Sequence, residues 1–424
     1  RLSMELQFAF WMLVLLVALA LVFDFMNGFH DAANSIATIV STGVLKPYQA
    51  VMWAAFFNFV AIALFELKVA ATVGKGIVEP DIVDNYVIFG ALIGAIAWNF
   101  ITWYYGIPSS SSHALIGGMV GAVIAKAGTG PLLAPGITKT SVFIVVSPVL
   151  GMLLAGLLTV AVSWICRRRT QRVTDRWFRK LQLVSSALYS IGHGSNDAQK
   201  TMGIIWLLLI SAGLTTTEHL PNWVIIACYV AIALGTLFGG WRIVKTMGQR
   251  ITKLKPVGGF AAETGGAMSL FLASSFGIPV STTHTITGAI IGVGSTRRVR
   301  AVRWGVAGNV LIAWILTIPA SALMAAGAWW LGRHLFLAVS RRGARTPSLT
   351  RPSRPAARRM ARGYRPVPCR ANRSACREPS ARAHPAARPA GASRRSRARA
   401  PRRSSRRLSP CGRSPGRTAR PPQS

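Results

Sequence analysis

Apolar runs long enough to cross a bilayer recur along this chain, and nothing else in the sequence limits its fold as strongly. Crossing about 30 Å of hydrocarbon takes roughly 20 apolar residues as a helix. Candidate segments lie at about 6–27, 48–66, 87–105, 108–125, 141–165, 181–212, 222–241, 260–276, 278–295 and 304–335. With 51% hydrophobic residues overall, the chain is expected to be an all-α polytopic membrane protein rather than a soluble one. The chain opens at Arg1, and its first run is too long for a signal-peptide core and lacks a clear small-residue cleavage site, so it is read as a retained membrane helix.

Charge orients these segments. The stretches 166–180, 242–255 and 297–303 are strongly basic, which places them in the cytoplasm. "GKGIVEPDIVDN" and "GLTTTEHLPN" hold most of the acids and few cations, and belong outside. The segment 141–165 then runs inward, 181–212 outward and 222–241 inward again. Both flanks of 87–125 fall outside and both flanks of 260–295 inside, so each is a hairpin or an even number of crossings, the two entering from opposite faces. The expected architecture is two inverted-topology repeats with broken helices and helical hairpins. The first repeat covers 1–165 and the second 181–340, with 166–180 as a basic cytoplasmic loop and both termini outside.

An internal duplication agrees with this. "GIPSSSSHALIGGMVGAVIA" (106–125) matches "GIPVSTTHTITGAIIGVGST" (277–296) at constant spacing, pairing Pro108 with Pro279, Ser110 with Ser281, His113 with His284 and Gly117 with Gly288. "GFHDAANS" (28–35) matches "GSNDAQKT" (194–201), pairing Asp31 with Asp197. Paired motifs of this kind characterise secondary transporters, whose sites lie at the repeat interface on interrupted helices.

The hairpin motifs read as helix N-termini that begin inside the membrane. Pro108 and Pro279 suit a first helical turn, and Ser or Thr just after them can satisfy unpaired N–H groups. Free amides, the positive dipole end and the hydroxyls of Ser110, Ser111, Ser112, Ser281, Thr282 and Thr283 suit a tetrahedral oxyanion such as phosphate. A lone membrane serine is more often a packing residue, but here a whole helix start is specified twice. His113 and His284 are either proton carriers or hydrogen-bonding struts of the hairpins.

Asp31 and Asp197 sit in apolar segments, where ionisable groups are costly and functional by default. A carboxylate in contact with phosphate is repelled by about 4 kcal/mol at an effective dielectric near 20, so the site calls for a co-bound cation or proton. Asp31 and Asp197 are therefore the coupling-ion candidates. They hold sodium with Asn34 and Asn196 as neutral ligands, or they carry protons, and no fixed metal site is expected. Lys200 either touches the anion or forms a structural ion pair with Asp197. Gly28, Gly192 and Gly194 are expected to let the backbone unwind beside the motifs. Glu66 is expected at the outer interface, Glu263 in "AAETGGA" is a secondary candidate, and tryptophans near segment ends read as interfacial anchors.

After residue 340 the composition changes. That tail holds 25 of the chain's 49 basic residues, all arginine, and one acid, Glu378. Rich in Arg, Pro, Ala and Ser without apolar periodicity, 341–424 is expected to be disordered and resembles a frameshifted end. A nucleic-acid-binding arm is disfavoured by its near-lack of aromatics, Tyr364 alone, and its expected side of the membrane. Cys166, Cys228, Cys369, Cys376 and Cys411 are scattered without metal-site spacing.

"GFHDAANSIAT" and "GSNDAQKTMG", with "IPSSSSHALIGG" and "IPVSTTHTITG", resemble the duplicated signatures of the inorganic phosphate transporter (Pit) family, in the wording of its bacterial low-affinity branch. The likeness covers about residues 6–338. Phe29, His30, Gln199 and Lys200 depart from the family's usual Gly-Ala-Asn-Asp-x-Ala-Asn in the manner of that branch. The resemblance implies phosphate import by cation symport, with the proton favoured over sodium. It also implies Mg²⁺ or another divalent ion carried as neutral metal phosphate, no enzymatic cofactor, an inner-membrane location and a homodimer. It makes Asp31, Asn34, Asn196 and Asp197 ion or substrate ligands, and Ser110 to Ser112 with Ser281 to Thr283 the phosphate cradle. A sulfate permease is the nearest alternative. An intramembrane serine hydrolase, built from a serine, His113 and Asp31, and a passive anion channel are the readings from other classes; a duplicated motif without a nucleophile elbow speaks against the hydrolase.

Overall fold

A computed structural model describes residues 2–64 and 66–343; the expectation for the Arg-rich tail lies outside the described residues beyond 343. The described chain is helical, with one isolated β-bridge between Val78 and Leu132. The helices are α1 (Leu2–Ser41), α2 (Pro47–Val60), α3 (Lys68–Lys75), α4 (Asn85–Tyr105), α5 (Ser111–Ala127), α6 (Ala134–Ile165), α7 (Gln171–Ser211), α8 (Asn222–Phe238), α9 (Trp241–Lys245), α10 (Pro256–Ser275), α11 (Thr282–Arg297) and α12 (Trp304–Gly343). Four helices are long and apolar enough to span a membrane outright: α1, α4, α6 and α12. Two bent pairs, α2 with α3 (84°) and α8 with α9 (61°), reach the same length and hydropathy when each pair is taken together. The protein is thus a multi-pass membrane protein.

Ten apolar runs were expected, and the difference lies in α5 and α11, which at 17 and 16 residues are short for a span, and in the more polar α7 and α10. These helices are buried inside the bundle, with Ser185 to Ala187 and Tyr189 to Leu209 of α7 shielded almost without interruption. A helix enclosed by other helices needs no lipid-facing surface, so it can afford polar residues that lower its hydropathy. The basic stretch 166–180 is likewise not all loop, since α7 begins at Gln171.

Both hairpins turn in the same way. Gly106 ends α4 at φ +66° and Gly277 follows α10 at φ +64°, each in the left-handed region that glycine adopts without strain. Thr246 Oγ1 donates to Gly106 O (2.9 Å), and Thr72 Oγ1 donates to Gly277 O (2.7 Å). Each turn is therefore held by a threonine from a bent helix pair. Beyond the turns, α5 packs against α12 and α11 against α6 through matched glycines. A β-carbon on Gly117 or Gly121 would collide with α12 at Ile318 or Ala322, and one on Gly288 or Gly292 with the carbonyls of Pro148 or Met152 on α6. Pro148 and Pro319 lie inside α6 and α12 at these contacts.

Candidate transport site

Each hairpin leaves its turn as a short extended segment and starts its second helix in the protein interior. Ser110 is the N-cap of α5 and accepts from His113 N; Ser281 is the N-cap of α11 and accepts from His284 N, both at 3.2 Å. Pro108 and Pro279 do not occupy the first helical turn as expected. They lie two residues before the caps, in the extended segments, where their fixed φ is equally compatible. Residues Ser109 to His113 and Ser281 to His284 are all buried.

The two helix starts meet. Lys200 on α7 joins them, its Nζ donating to Ser112 Oγ (2.5 Å) on one tip, to Val280 O (2.6 Å) on the other and to Asp197 Oδ1 (2.5 Å). Asn34 Nδ2 donates to Thr282 Oγ1 (3.2 Å) and Thr283 Oγ1 (2.9 Å). His113 and His284 stand edge to face with ring centres 4.6 Å apart, and His284 stacks on Trp314 of α12 at 3.7 Å. Trp314 also donates to Pro108 O (3.1 Å), so this tryptophan braces both tips from within rather than anchoring an interface.

Both aspartates face this junction. Asp31 Oδ2 lies 2.6 Å from Ser111 Oγ, and Asp31 Oδ1 lies 2.6 Å from His30 Nδ1 and 3.4 Å from Thr283 Oγ1. Asp197 Oδ2 accepts from Thr282 Oγ1 (3.0 Å) and lies 3.2 Å from His193 Nε2. Asp31, His193 and Asp197 bring ligand atoms within 4.8 Å of one another, a spacing that suits a cation. Asn34 Oδ1, Ser35 Oγ and His113 Nδ1 are buried without a hydrogen-bond partner. Leaving such atoms unpaired costs about 1–3 kcal/mol each, which marks the junction as a place for a polar ligand.

One sequence expectation changes. The backbone does not unwind at Gly28, Gly192 or Gly194: α1 and α7 run unbroken through both motifs. These glycines are points of close approach instead, since a β-carbon on Gly28 would strike Ile232 O, one on Gly194 would lie 2.5 Å from Asn58 O, and one on Gly192 would press on Leu270 and Phe271. Asn196 spends its amide on the second tip's backbone and its base, donating to Ile278 O (3.2 Å) and Ser274 Oγ (3.1 Å) and accepting from Val280 N (3.2 Å). His30, at the matching position in the first motif, reaches the first tip through Thr102 Oγ1 (3.1 Å) and Ser109 Oγ (3.4 Å). Glu66 is exposed and paired with Lys68 (2.7 Å). Glu263 is buried and takes hydrogen bonds from Thr38 (2.6 Å), Gln182 (3.0 Å) and Ser185 (2.6 Å).

The sequence reading left out His193 and Asp24, and took His30 and Gln199 only as departures from the family motif. Gln199 Oε1 accepts from the Val69 and Ala70 amides, which caps α3, while its Nε2 donates to Glu66 O. Asp24 carried the same signal as Asp31, an acid in an apolar run. Ser109, His30 and Asp31 form a line that resembles a hydrolytic triad, but Ser109 Oγ donates to Thr102 Oγ1 (2.8 Å) rather than to the imidazole. The hydrolase reading gains no nucleophile from it.

Comparison with known proteins adds to the geometry. The model of the phosphate transporter family matches residues 27–325. A Rhizobium meliloti (strain 1021) protein named "Probable low-affinity inorganic phosphate transporter" is 62% identical over 324 residues, which is 76% of this chain and 97% of that one. A Bacillus subtilis (strain 168) protein of the same name is 48% identical over 326 residues, covering 76% and 98%. A solved structure titled "The sodium-dependent phosphate transporter" superposes with a TM-score of 0.68 at 27% identity, covering 76% of this chain and 99% of its own.

Proposed function

The chain belongs to the phosphate transporter family, and we propose on that footing that it is a secondary active importer in which a proton, rather than sodium, accompanies inorganic phosphate. One observation carries the reading. The donors suited to a phosphate are the donors that satisfy the two aspartates: Ser111 and Thr283 bond Asp31, Thr282 bonds Asp197, and Lys200 divides itself between Asp197 and Ser112.

Phosphate entering between the tips draws these hydroxyls and the ammonium onto its own oxygens. The first two amides of α5 and α11, ahead of the capped His113 and His284 amides, add to the cradle. Asp31 and Asp197 then lose hydrogen bonds just as a second anion arrives. At a contact of 4 Å and an effective dielectric of 20, each such repulsion is about 4 kcal/mol. A cation or proton that binds the carboxylates with the phosphate removes that penalty, so neither ligand binds well alone and symport follows.

Two features favour the proton. The ammonium of Lys200 occupies the flank of Asp197 where a metal ion would otherwise bind, and Asp31 faces His30, a partner that exchanges protons. A divalent ion that neutralises the phosphate in transit has Asp31, His193 and Asp197 within reach. The basic stretches at 166–180, 242–255 and 297–303 support an inner-membrane topology of inverted repeats with both termini outside, and the proposal includes a homodimer as the working unit.

The test is transport by purified protein in liposomes, with labelled phosphate and an imposed proton or sodium gradient, with and without Mg²⁺. An inside-alkaline gradient is expected to drive accumulation in sodium-free buffer. Accumulation that responds only to sodium overturns the proton reading, and equilibration without accumulation overturns symport.

A further inference from the structure

Four acids are fully buried among the described residues: Asp24, Asp31, Asp197 and Glu263. Asp31 has His30 and Ser111, Asp197 has Lys200, His193 and Thr282, and Glu263 has three donors. Asp24 differs from all of them. Its Oδ1 accepts one hydrogen bond, from Thr201 Oγ1 at 2.9 Å, and its Oδ2 has no partner of normal geometry. Asn27 on its own helix and Cys228 on α8 are its other polar neighbours, with Tyr229 of α8 and Asp197 of α7 the further titratable groups around it. No cation of α1, α7 or α8 pairs with it.

Asp24 stands seven residues before Asp31 on the unbroken α1, about 10 Å along the axis at 1.5 Å per residue. Its partner Thr201 stands four residues after Asp197 on the antiparallel α7. The carboxyl therefore lies in the α1–α7 seam, displaced from the phosphate junction toward the N-terminal end of α1, and touches none of the tip residues. A buried carboxyl with no counter-ion is suited to hold and release a proton, because the proton alone is small enough to reach it and to balance it.

We propose that Asp24 is a proton-binding site of the transport cycle, separate from the aspartates at the phosphate junction. It rests on the proton-symport reading above. On the proposed topology it lies on the outer side of the junction, so a proton taken up there precedes or accompanies phosphate as it enters. Asp197 lies one turn from Thr201, the α7 partner of Asp24, so a charge on either carboxyl disfavours a charge on the other. That coupling links protonation of Asp24 to the state of the junction without direct contact with the anion.

The experiment compares wild type with Asp24→Asn and Asp24→Glu in sodium-free proteoliposomes. Two readouts are taken: accumulation driven by an inside-alkaline gradient, and exchange of labelled for unlabelled phosphate without a gradient. Asp24→Asn, which can still accept from Thr201, is expected to lose driven accumulation by tenfold or more while exchange persists within about threefold. Asp24→Glu is expected to retain driven accumulation with a shifted dependence on external pH. Accumulation by Asp24→Asn equal to wild type overturns the proposal and leaves proton symport standing. A wild type driven by sodium alone overturns proton symport first and this site with it. Should Asp24→Asn fail to fold, wild type treated with a hydrophobic carbodiimide, which reacts with protonated carboxyls in apolar surroundings, decides the matter by mass spectrometry. An adduct on Asp24 that forms at pH 6 and diminishes at pH 9 supports the site, and its absence at both overturns it.

Discussion

Lys200 offers the sharpest test of how the junction is held together. Its side chain is buried, and its three donors go to Asp197, Ser112 and Val280. Replacing it by Met keeps the volume and removes the charge, which leaves Asp197 without its ammonium and both tips without their common strut. Breaking a buried ion pair from one side costs about 3–5 kcal/mol. At about 2 °C per kcal/mol, the lower bound for a large domain, the melting midpoint in detergent falls by about 6–10 °C. The double variant Lys200→Met/Asp197→Asn removes both charges and should recover more than half of that loss, because the cost lies in the orphaned carboxylate rather than in lost packing. Transport should not recover with it, since the proposed cradle needs the ammonium. Midpoints from intrinsic tryptophan fluorescence and phosphate exchange in liposomes read the two effects separately. A single variant as stable as wild type, or a double variant no more stable than the single, refutes the ion-pair account. Recovered transport in the double variant refutes a role for Lys200 at the anion.

Other expectations follow from the same geometry. Asp31→Asn and Asp197→Asn should each abolish phosphate accumulation while the protein remains in the membrane; normal accumulation by either removes that residue from coupling. His284→Phe keeps the stack on Trp314 and the edge contact with His113, so phosphate exchange should stay within about threefold of wild type. A tenfold loss in well-folded protein would instead make His284 a proton carrier. In a cysteine-free background, an impermeant thiol reagent added outside intact cells should label Lys68→Cys and leave Arg242→Cys untouched until the membrane is opened; labelling of both from one side contradicts the inverted arrangement.

How much of this was legible in the sequence depends on the kind of interaction. Helix starts were legible because a cap is a local device: Ser110 and Ser281 lie three residues before the amides they bind, and the spacing of Pro, Ser and His repeats in both copies. The glycines were legible as special positions but not in kind. Gly106 and Gly277 do supply a positive φ, whereas Gly28, Gly192 and Gly194 supply clearance for Ile232, Leu270 with Phe271, and Asn58 on other elements. Such clearance is a tertiary fact with no local signature, which is why continuous helices replaced the expected unwound ones. Lys200, Asn34 and Trp314 act across separations of 80 residues or more, so their partners were open even where their importance was not. Asp24 was as visible as Asp31, but it sat outside the duplicated motif and was passed over.

The closed junction also constrains how the site opens. The turn at Gly106 is tied by Thr246, in the π-helical segment Thr246–Arg250 that continues α9, and Arg242 donates to Tyr104 O beside it. The turn at Gly277 is tied by Thr72 of α3, and Lys139 donates to Phe276 O (3.0 Å). Each hairpin is thus fastened at its far end to a bent helix pair, and at its inner end to the other hairpin through Lys200, which bonds Ser112 and Val280, and Asp31, which bonds Ser111 and Thr283. Sliding one hairpin outward from the junction breaks one set of fastenings and leaves the other intact, so access opens to one side at a time. On the proposed proton symport, phosphate replaces the Lys200 and hydroxyl bonds that hold the inner ends together, and a protonated aspartate no longer needs those donors. On that proposal a loaded site loosens its own closure, whereas one carrying only the anion leaves two uncompensated carboxylates beside it.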